Sequence, residues 1–519
     1  MRGTRRKISR REAFKLGAAA TAALSVAPYA RGAQPMSGKP NILFIMADQY
    51  RGDCVGADGN DAVMTPNLDR IAREGVLFSK AYTATPSCTP ARAGLLSGLS
   101  PWNHGMLAYG RVGWKYPHEL PREMRNAGYY TLGIGKMHWS PQRSLHGFHD
   151  TILDESGREE SIDFRSDYRS WFYSQVPTLD PDATGIGFND YDAKPYALPE
   201  RLHPTTWTGD VAVNFLSNYN REEPFFLKVS FARPHSPFDA PERFWKMYEN
   251  RDIPEAVVGE WAKKYAPRSG KNSSIWHGDL GPEQVRKSRI GYYGNVTFID
   301  EQVGRMLEVL EERGLLENTL VLFTADHGDM TGDHHLWRKT YAYEASARIP
   351  MLMRWPEGLV KAERGQRLRQ PVELRDIMPT FMDAAGAGVP DDIDGDSVLK
   401  LIRGEAQGWR PWLDFEHGRC YGDENHWNAL TDGRWKYIYH AYLGEEQLFD
   451  LDNDPGELTD LSKTNTAETV KWRERMVEHL SVRGEGFVKD GKLVVRKESM
   501  LYGPNYPGFW EDAEKAGKV

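Results

Sequence analysis

Four runs in this chain are apolar on both faces and carry polar residues at their ends, and they restrict its folding more than any other feature. "NILFIMADQ" closes on Asp48 and Gln49, and "YYTLGIGKMHW" holds Lys136 and His138 near its end. "PFFLKVSFARPHSPF" leads to His235, and "NTLVLFTADHGD" to Asp326 and His327. A strand with one wet face alternates polar and apolar residues. These runs do not, so they suit strands buried on both faces, as in a parallel sheet covered by helices. Such sheets place their sites just past the C-terminal ends of the strands. Taken singly, Asp48 also reads as a helix cap and His235 as a loop histidine. The recurrence at four strand ends is what reads as one site.

Helical patterns lie between the runs. "TPNLDRIAREG" opens on Thr65-Pro66 and closes on Gly75; "ELPREMRNAGY" precedes the Lys136 run. "YYGNVTFIDEQVGRMLEVLEERG" leads into the Asp326 run and closes on Gly314. Strand–helix alternation predicts an α/β fold with a large, doubly wound, mostly parallel sheet flanked by helices. Beyond Pro390 the pattern changes. "DIDGDSVLKLI" and "GEAQGWRPW" read as a linking region. "WNALTDGRWKYIYHAYLGEEQLFDLDNDPGEL" reads as short strands with turns at Asp432-Gly433 and Asp454-Pro455-Gly456, and "TAETVKWRERMVEHLSVRG" as a helix. A chain of 519 residues exceeds one small core. The expectation is an α/β domain over 37–400 and a smaller α+β domain with an antiparallel sheet over 401–519.

Residues 1–33 read as an export signal: a basic start, a short Ala-rich run from Leu16 to Ala27, then small residues around Ala30 to Ala33. Ser9-Arg10-Arg11 before Phe14-Lys15-Leu16 resembles a twin-arginine signal with one extra residue before Phe14. The alternative is a basic N-terminal arm. The run is too short to span a bilayer, and no later segment reads as transmembrane. The expected location is periplasmic or extracellular. Residues 1–33 hold eight of the 66 Lys and Arg and one of the 73 Asp and Glu, so the remainder is acidic. That balance gives no reason to expect a nucleic-acid partner, and cations for an anionic substrate would have to be placed locally.

Cys54, Cys88 and Cys420 are too few for a disulfide framework, although a Cys54–Cys420 bridge is compatible with the count. Cys88 is left over in either case. It stands in "PSCTPARAGLLSG", where Cys88-x-Pro90-x-Arg92 is too short for a zinc pair and lacks the second cysteine of a redox motif. Arg92 lies one turn on if the segment is helical, and Pro90 suits a first turn.

Together these residues resemble the type I, formylglycine-dependent sulfatases of the alkaline phosphatase superfamily. "CTPARAGLLSG" is similar to the signature C-x-P-x-R, "GIGKMHW" to G-K-W-H, and "FARPHSPF" to P-H-x-P. "TADHGDMTGDHHLWRKTYAYEASARIP" resembles the second metal strand and its loop, and "ELRDIMPTFMDAAGAGVP" and "LFDLDNDPGE" typical late segments. The resemblance implies that Cys88 is converted to formylglycine by a separate formylglycine-generating enzyme. A hydrated aldehyde carries two hydroxyls on one carbon: one attacks sulfur, the other expels sulfate by re-forming the carbonyl. Asp48, Gln49, Asp326 and His327, with residue 88, would hold one divalent cation, calcium first and magnesium or manganese next. Gln49 and His327 depart from the Asp and Asn of many members.

The resemblance assigns further roles. Arg92 would polarise the hydrated aldehyde, and Lys136 and Lys339 would clamp sulfate oxygens. His138 would take the proton from the second hydroxyl, and His235, with Lys339, would protonate the leaving alcohol. His104 would stand behind the site. Asp333 and His334 would organise the Lys339 loop, and His335 and Arg338 either line the pocket or pack locally. The expected activity is sulfate ester hydrolysis, with a small-molecule or oligosaccharide carbohydrate sulfate first and aryl and choline sulfates open. The competing readings are a phosphonate or phosphate monoester hydrolase of the same superfamily and a noncatalytic protein on the same fold.

Overall fold

The computed structural model describes residues 38–158 and 163–516, so the signal read at 1–33 lies outside the described residues. Eight strands form the main sheet: β1 (Asn41–Asp48), β2 (Val76–Phe78), β3 (Tyr130–Gly135), β4 (Asp150–Leu153), β5 (Phe225–Pro234), β6 (Thr319–Ala325), β7 (Met351–Arg354) and β8 (Gln366–Leu368). Their order is β4-β3-β5-β1-β6-β7-β2-β8. The four apolar runs are β3, β5, β1 and β6, adjacent and parallel at the centre. Gly135 stands opposite Ser230, and Ala47 opposite both Phe231 and Ala325, so the four polar ends emerge along one edge. Only β7 runs antiparallel to its neighbours β6 and β2, so the sheet is mostly parallel.

Helices cover both faces. They are α1 (Pro66–Arg73), α2 (Cys88–Ser97), α3 (Pro204–Asn218), α4 (Gly281–Glu312) and α5 (Ile377–Ala384). Successive residues of a strand point to opposite faces. Phe225 meets Phe215 of α3, with ring centroids 5.9 Å apart, and Phe226 meets Phe381 of α5 at 5.8 Å. One strand is thus sandwiched between helices, which is why its sequence does not alternate. Gly75 stands just past the cap of α1, where the helix was expected to close, and it serves a second purpose. A Cβ there would lie 1.9 Å from the Met353 carbonyl oxygen, so the glycine lets the chain pass close against β7. Helix α4 starts at Gly281, eleven residues before Tyr292, with Pro282 in its first turn.

The second sheet is an antiparallel meander of β9 (Leu413–His417), β10 (Trp427–Thr431), β11 (Trp435–His440) and β12 (Glu445–Asp450). β9 begins directly after the expected linking stretch. One face packs Leu430, Tyr437 and Leu448 against Trp472, Met476 and Leu480 of α6 (Thr466–Ser481). The other packs Phe415, Trp427 and Phe449 against Tyr82, Tyr343 and Ala347. The chain then returns to the segment after α2: Leu107 N donates to Leu501 O, and Gly503 N to Gly105 O. The Cys54–Cys420 bridge is not formed, because Cys54 packs in the large core and Cys420 lies in the turn after β9.

Candidate active site

Cys88 is the first residue of α2, a helix buried at every position, with extended Ser87 before it. Arg92 follows one turn on, as its spacing predicts. Its Nε donates to Asp326 Oδ2 at 3.0 Å, Nη2 to Asp48 Oδ2 at 3.1 Å, and Nη1 to the Lys136 carbonyl at 2.6 Å and Ser230 Oγ at 3.3 Å. One guanidinium therefore ties together the ends of β1, β3, β5 and β6. Pairs this deep are kept only where hydrogen bonding is complete.

Around it lie the ligand atoms of Asp48, Cys88, Asp326 and His327, all within 4.8 Å of one another. Cys88 Sγ is 3.2 Å from His327 Nε2 and 3.7 Å from Asp48 Oδ1. His327 Nδ1 donates to the Gly328 carbonyl at 2.9 Å, which leaves the Nε2 lone pair directed inward. Two carboxylates, a sulfur and an oriented imidazole fit a divalent cation. Burial would raise Asp48, but Lys136 first and Arg92 beside it hold it well below the usual carboxylate range. Burial and Asp48 oppose ionisation of Cys88, yet Lys339, Lys136 and His327 bring it down to about 7.

Gln49 has a left-handed backbone, φ 65°. Its N–H donates to Asp326 Oδ1 at 2.9 Å, its Oε1 accepts from Lys339 Nζ at 2.7 Å, and its Nε2 donates to Asp329. Lys339 Nζ also meets His235 Nε2 at 2.7 Å. His235 Nδ1 faces the Ser236 carbonyl at 2.8 Å, so Nδ1 carries the proton and Nε2 accepts from the lysine. His235 N donates to the Asp48 carbonyl at 3.0 Å. Burial, with Lys339 beside it, lowers His235 well below the ordinary imidazole range. Burial lowers Lys339 as well.

Lys136 Nζ lies 2.5 Å from Asp48 Oδ2 and has no other partner among the described residues. His138 has φ 61°, held by its N–H on Glu155 Oε1 at 2.9 Å. Its Nε2 lies 3.4 Å from the Tyr109 hydroxyl, and its Nδ1 is buried without a partner among the described residues. The structure thus gathers Asp48, Gln49, Cys88, Arg92, Lys136, His138, His235, Asp326, His327 and Lys339 at one edge of the sheet.

The flanking residues divide. Asp333 receives Arg51 at 2.8 Å and Arg289 at 2.6 Å, and His334 Nδ1 accepts from Gly259 N while its ring stacks on Trp261. Both brace the Lys339 loop. His104 accepts from Met106 N and packs behind α2 against Gly94. Arg338 donates to the Ser274 carbonyl and lies over the Tyr421 ring at 4.3 Å. His335 lines a separate cavity of about 780 Å³ with Trp337 and Val285, whose lining contains none of the ten gathered residues. Four participants escape the sequence reading: Arg51, Asp329, Glu155 and Arg158. Asp329 stood inside "TADHGD", and Arg51 three residues after Asp48; the other two had no pattern to mark them.

The sulfatase family model matches residues 40–387, and the model for the C-terminal part of N-sulphoglucosamine sulphohydrolase matches residues 332–483. The chain is 40% identical over 472 residues to an arylsulfatase of Clostridium perfringens, covering 88% of this chain and 97% of that one. It is 30% identical to a choline-sulfatase of Rhizobium meliloti, covering 93% and 95%. Its fold superposes on the phosphonate monoester hydrolase of Agrobacterium radiobacter with a TM-score of 0.71 and 26% identity, covering 88% of this chain and all of that one. Fold and site together define a hydrolase of the alkaline phosphatase superfamily, and within it the chain belongs to the sulfatase family. It is a sulfuric ester hydrolase.

Proposed function

We propose that this chain hydrolyses carbohydrate sulfate esters, with Cys88 matured to formylglycine and one divalent cation held by Asp48, Gln49, Asp326, His327 and residue 88. The observation that carries this reading is the convergence of Cys88, Asp48, Asp326 and His327 within 4.8 Å, braced by Arg92. The cation, calcium first and magnesium or manganese next, would supply Lewis-acid charge stabilisation, and the formylglycine hydrate a hydroxyl nucleophile. The match to the C-terminal part of N-sulphoglucosamine sulphohydrolase favours a sugar as the carrier of the sulfate.

The chain's own groups take the remaining roles. Arg92 holds the carboxylates in place and lies under residue 88. Lys136 and Lys339 face the sulfate oxygens, where charge grows in the transition state. His235 is neutral, with its Nε2 lone pair on Lys339, so the proton for the departing alcohol sits first on Lys339 Nζ and passes at or beside His235 Nε2. His138 Nδ1, shielded and unpartnered, is the base for sulfate release. Residues 1–33 would direct twin-arginine export and 37–400 would form the catalytic domain, with 401–519 as its smaller companion. No helix among the described residues is long and apolar enough to cross a membrane.

Peptide mass spectrometry of Cys88, metal analysis and free sulfate released from a panel of sulfated sugars test this reading. An active enzyme with an unmodified thiol would sink the mechanism. The second reading, phosphonate ester hydrolysis, is favoured by the likeness to the Agrobacterium enzyme. A higher kcat/KM for a phosphonate than for its matched sulfate ester would select it.

A further inference from the structure

We propose that Arg158 selects the alcohol half of the ester, by contacting a second anionic group carried on the leaving alcohol. This rests on the sulfate-ester reading above. Arg158 follows β4 in a turn closed by its N–H on the Glu155 carbonyl at 3.0 Å. Its Nη2 lies 3.4 Å from His235 Nε2, beside which, on that reading, the leaving oxygen takes its proton from Lys339. Arg158 therefore stands at the reaction centre.

What distinguishes it is that no carboxylate among the described residues pairs with it. Arg92, Arg51, Arg289 and Arg233 each pair with a carboxylate. Among the described residues Arg158 pairs with none, and its Nη1 is shielded from solvent without an acceptor. A shielded guanidinium without an acceptor is costly, and an anionic ligand relieves that cost. The sulfate already meets Lys136, Lys339 and the cation site. Arg158 shares His235 Nε2 with Lys339, so its free nitrogen lies alongside the first atoms of the alcohol. The planar fork suits a carboxylate or a second sulfate, and it repels a quaternary ammonium. A cationic alcohol such as choline fits this end of the site poorly.

The test uses three aryl sulfates with leaving phenols of matched acidity, bearing a carboxylate, an acetamido group or a trimethylammonium group. The wild-type enzyme should rank them in that order by kcat/KM. Arg158→Gln should lose roughly tenfold to a hundredfold more on the carboxylate ester than on the neutral ester, the extra loss falling mainly in KM. It should gain on the trimethylammonium ester, and Arg158→Lys should recover part of the anionic preference. Equal losses on all three esters, or unchanged ratios, would overturn the inference alone. A wild-type enzyme that turns over no sulfate ester would overturn the sulfate-ester reading and this inference with it.

Discussion

Arg92 has a partner inside the protein for each of its three nitrogens, whereas His138 Nδ1 and Arg158 Nη1, equally shielded, have none among the described residues. Lys136 Nζ stands with the second group, its ion pair to Asp48 apart. The two sides of one site are thus built on opposite terms. The Arg92 side closes its hydrogen bonds before any ligand arrives, so it is part of the fold. The Lys136 side leaves donors and a lone pair for a ligand to complete, each left unmade at about 1–3 kcal/mol. Groups on the first side should matter to stability as well as turnover, and groups on the second mainly to turnover, with Lys136 keeping a smaller share in stability through Asp48.

The largest expected effect lies where the sides meet. Cys88→Ala should abolish turnover, a loss of at least about 10⁴-fold, because the nucleophile is gone. Its melting temperature should stay near that of the wild type, since one small atom is lost. Arg92→Ala should remove activity and also about 3–5 kcal/mol of stability, because Asp48 and Asp326 stay buried without their shared cation. Thermal unfolding separates these two variants; an Arg92→Ala protein that melts with the wild type would break the comparison.

Lys136→Ala should cost roughly 10²–10³-fold in kcat/KM and lower the melting temperature less than Arg92→Ala does, because Asp48 loses one buried cation but keeps Arg92. A fall in melting temperature equal to that of Arg92→Ala would place Lys136 on the structural side. His235→Ala should slow a sugar sulfate by roughly a hundredfold, and an activated aryl sulfate, whose phenolate leaves unaided, far less. Equal losses on both would remove His235 from leaving-group protonation. The smallest effect is expected of His335→Ala, within about twofold in kcat/KM, because it lines a cavity apart from the gathered residues.

The central strands were legible because burial on both faces erases alternation, and four such runs in one chain could only lie together. Asp48, Lys136, His235 and Asp326 followed from their places at strand ends. Arg158 and Glu155 were not legible: they lie in an irregular connection after an edge strand, where no period marks which side chain turns inward. Gln49 lies just past the end of β1, as read, but its amide bonds to Lys339 and Asp329 depend on a left-handed backbone that no local pattern announces. Gly75 was legible as a helix stop, but its close contact with β7 was not. The return of residues 501–508 to the segment after α2 joins positions some 400 residues apart, beyond the reach of any pattern read along the chain.

The burial of Cys88 also sets a timetable. The thiol is fully enclosed, yet one of its walls, His327, is made 239 residues later, and Lys339 later still. At a synthesis rate of ~5–20 residues per second, Cys88 stands in a chain without those walls for roughly 12–48 s. Anything that must touch this side chain from outside meets it during that interval, or afterwards only as the ends of β1, β3, β5 and β6 part.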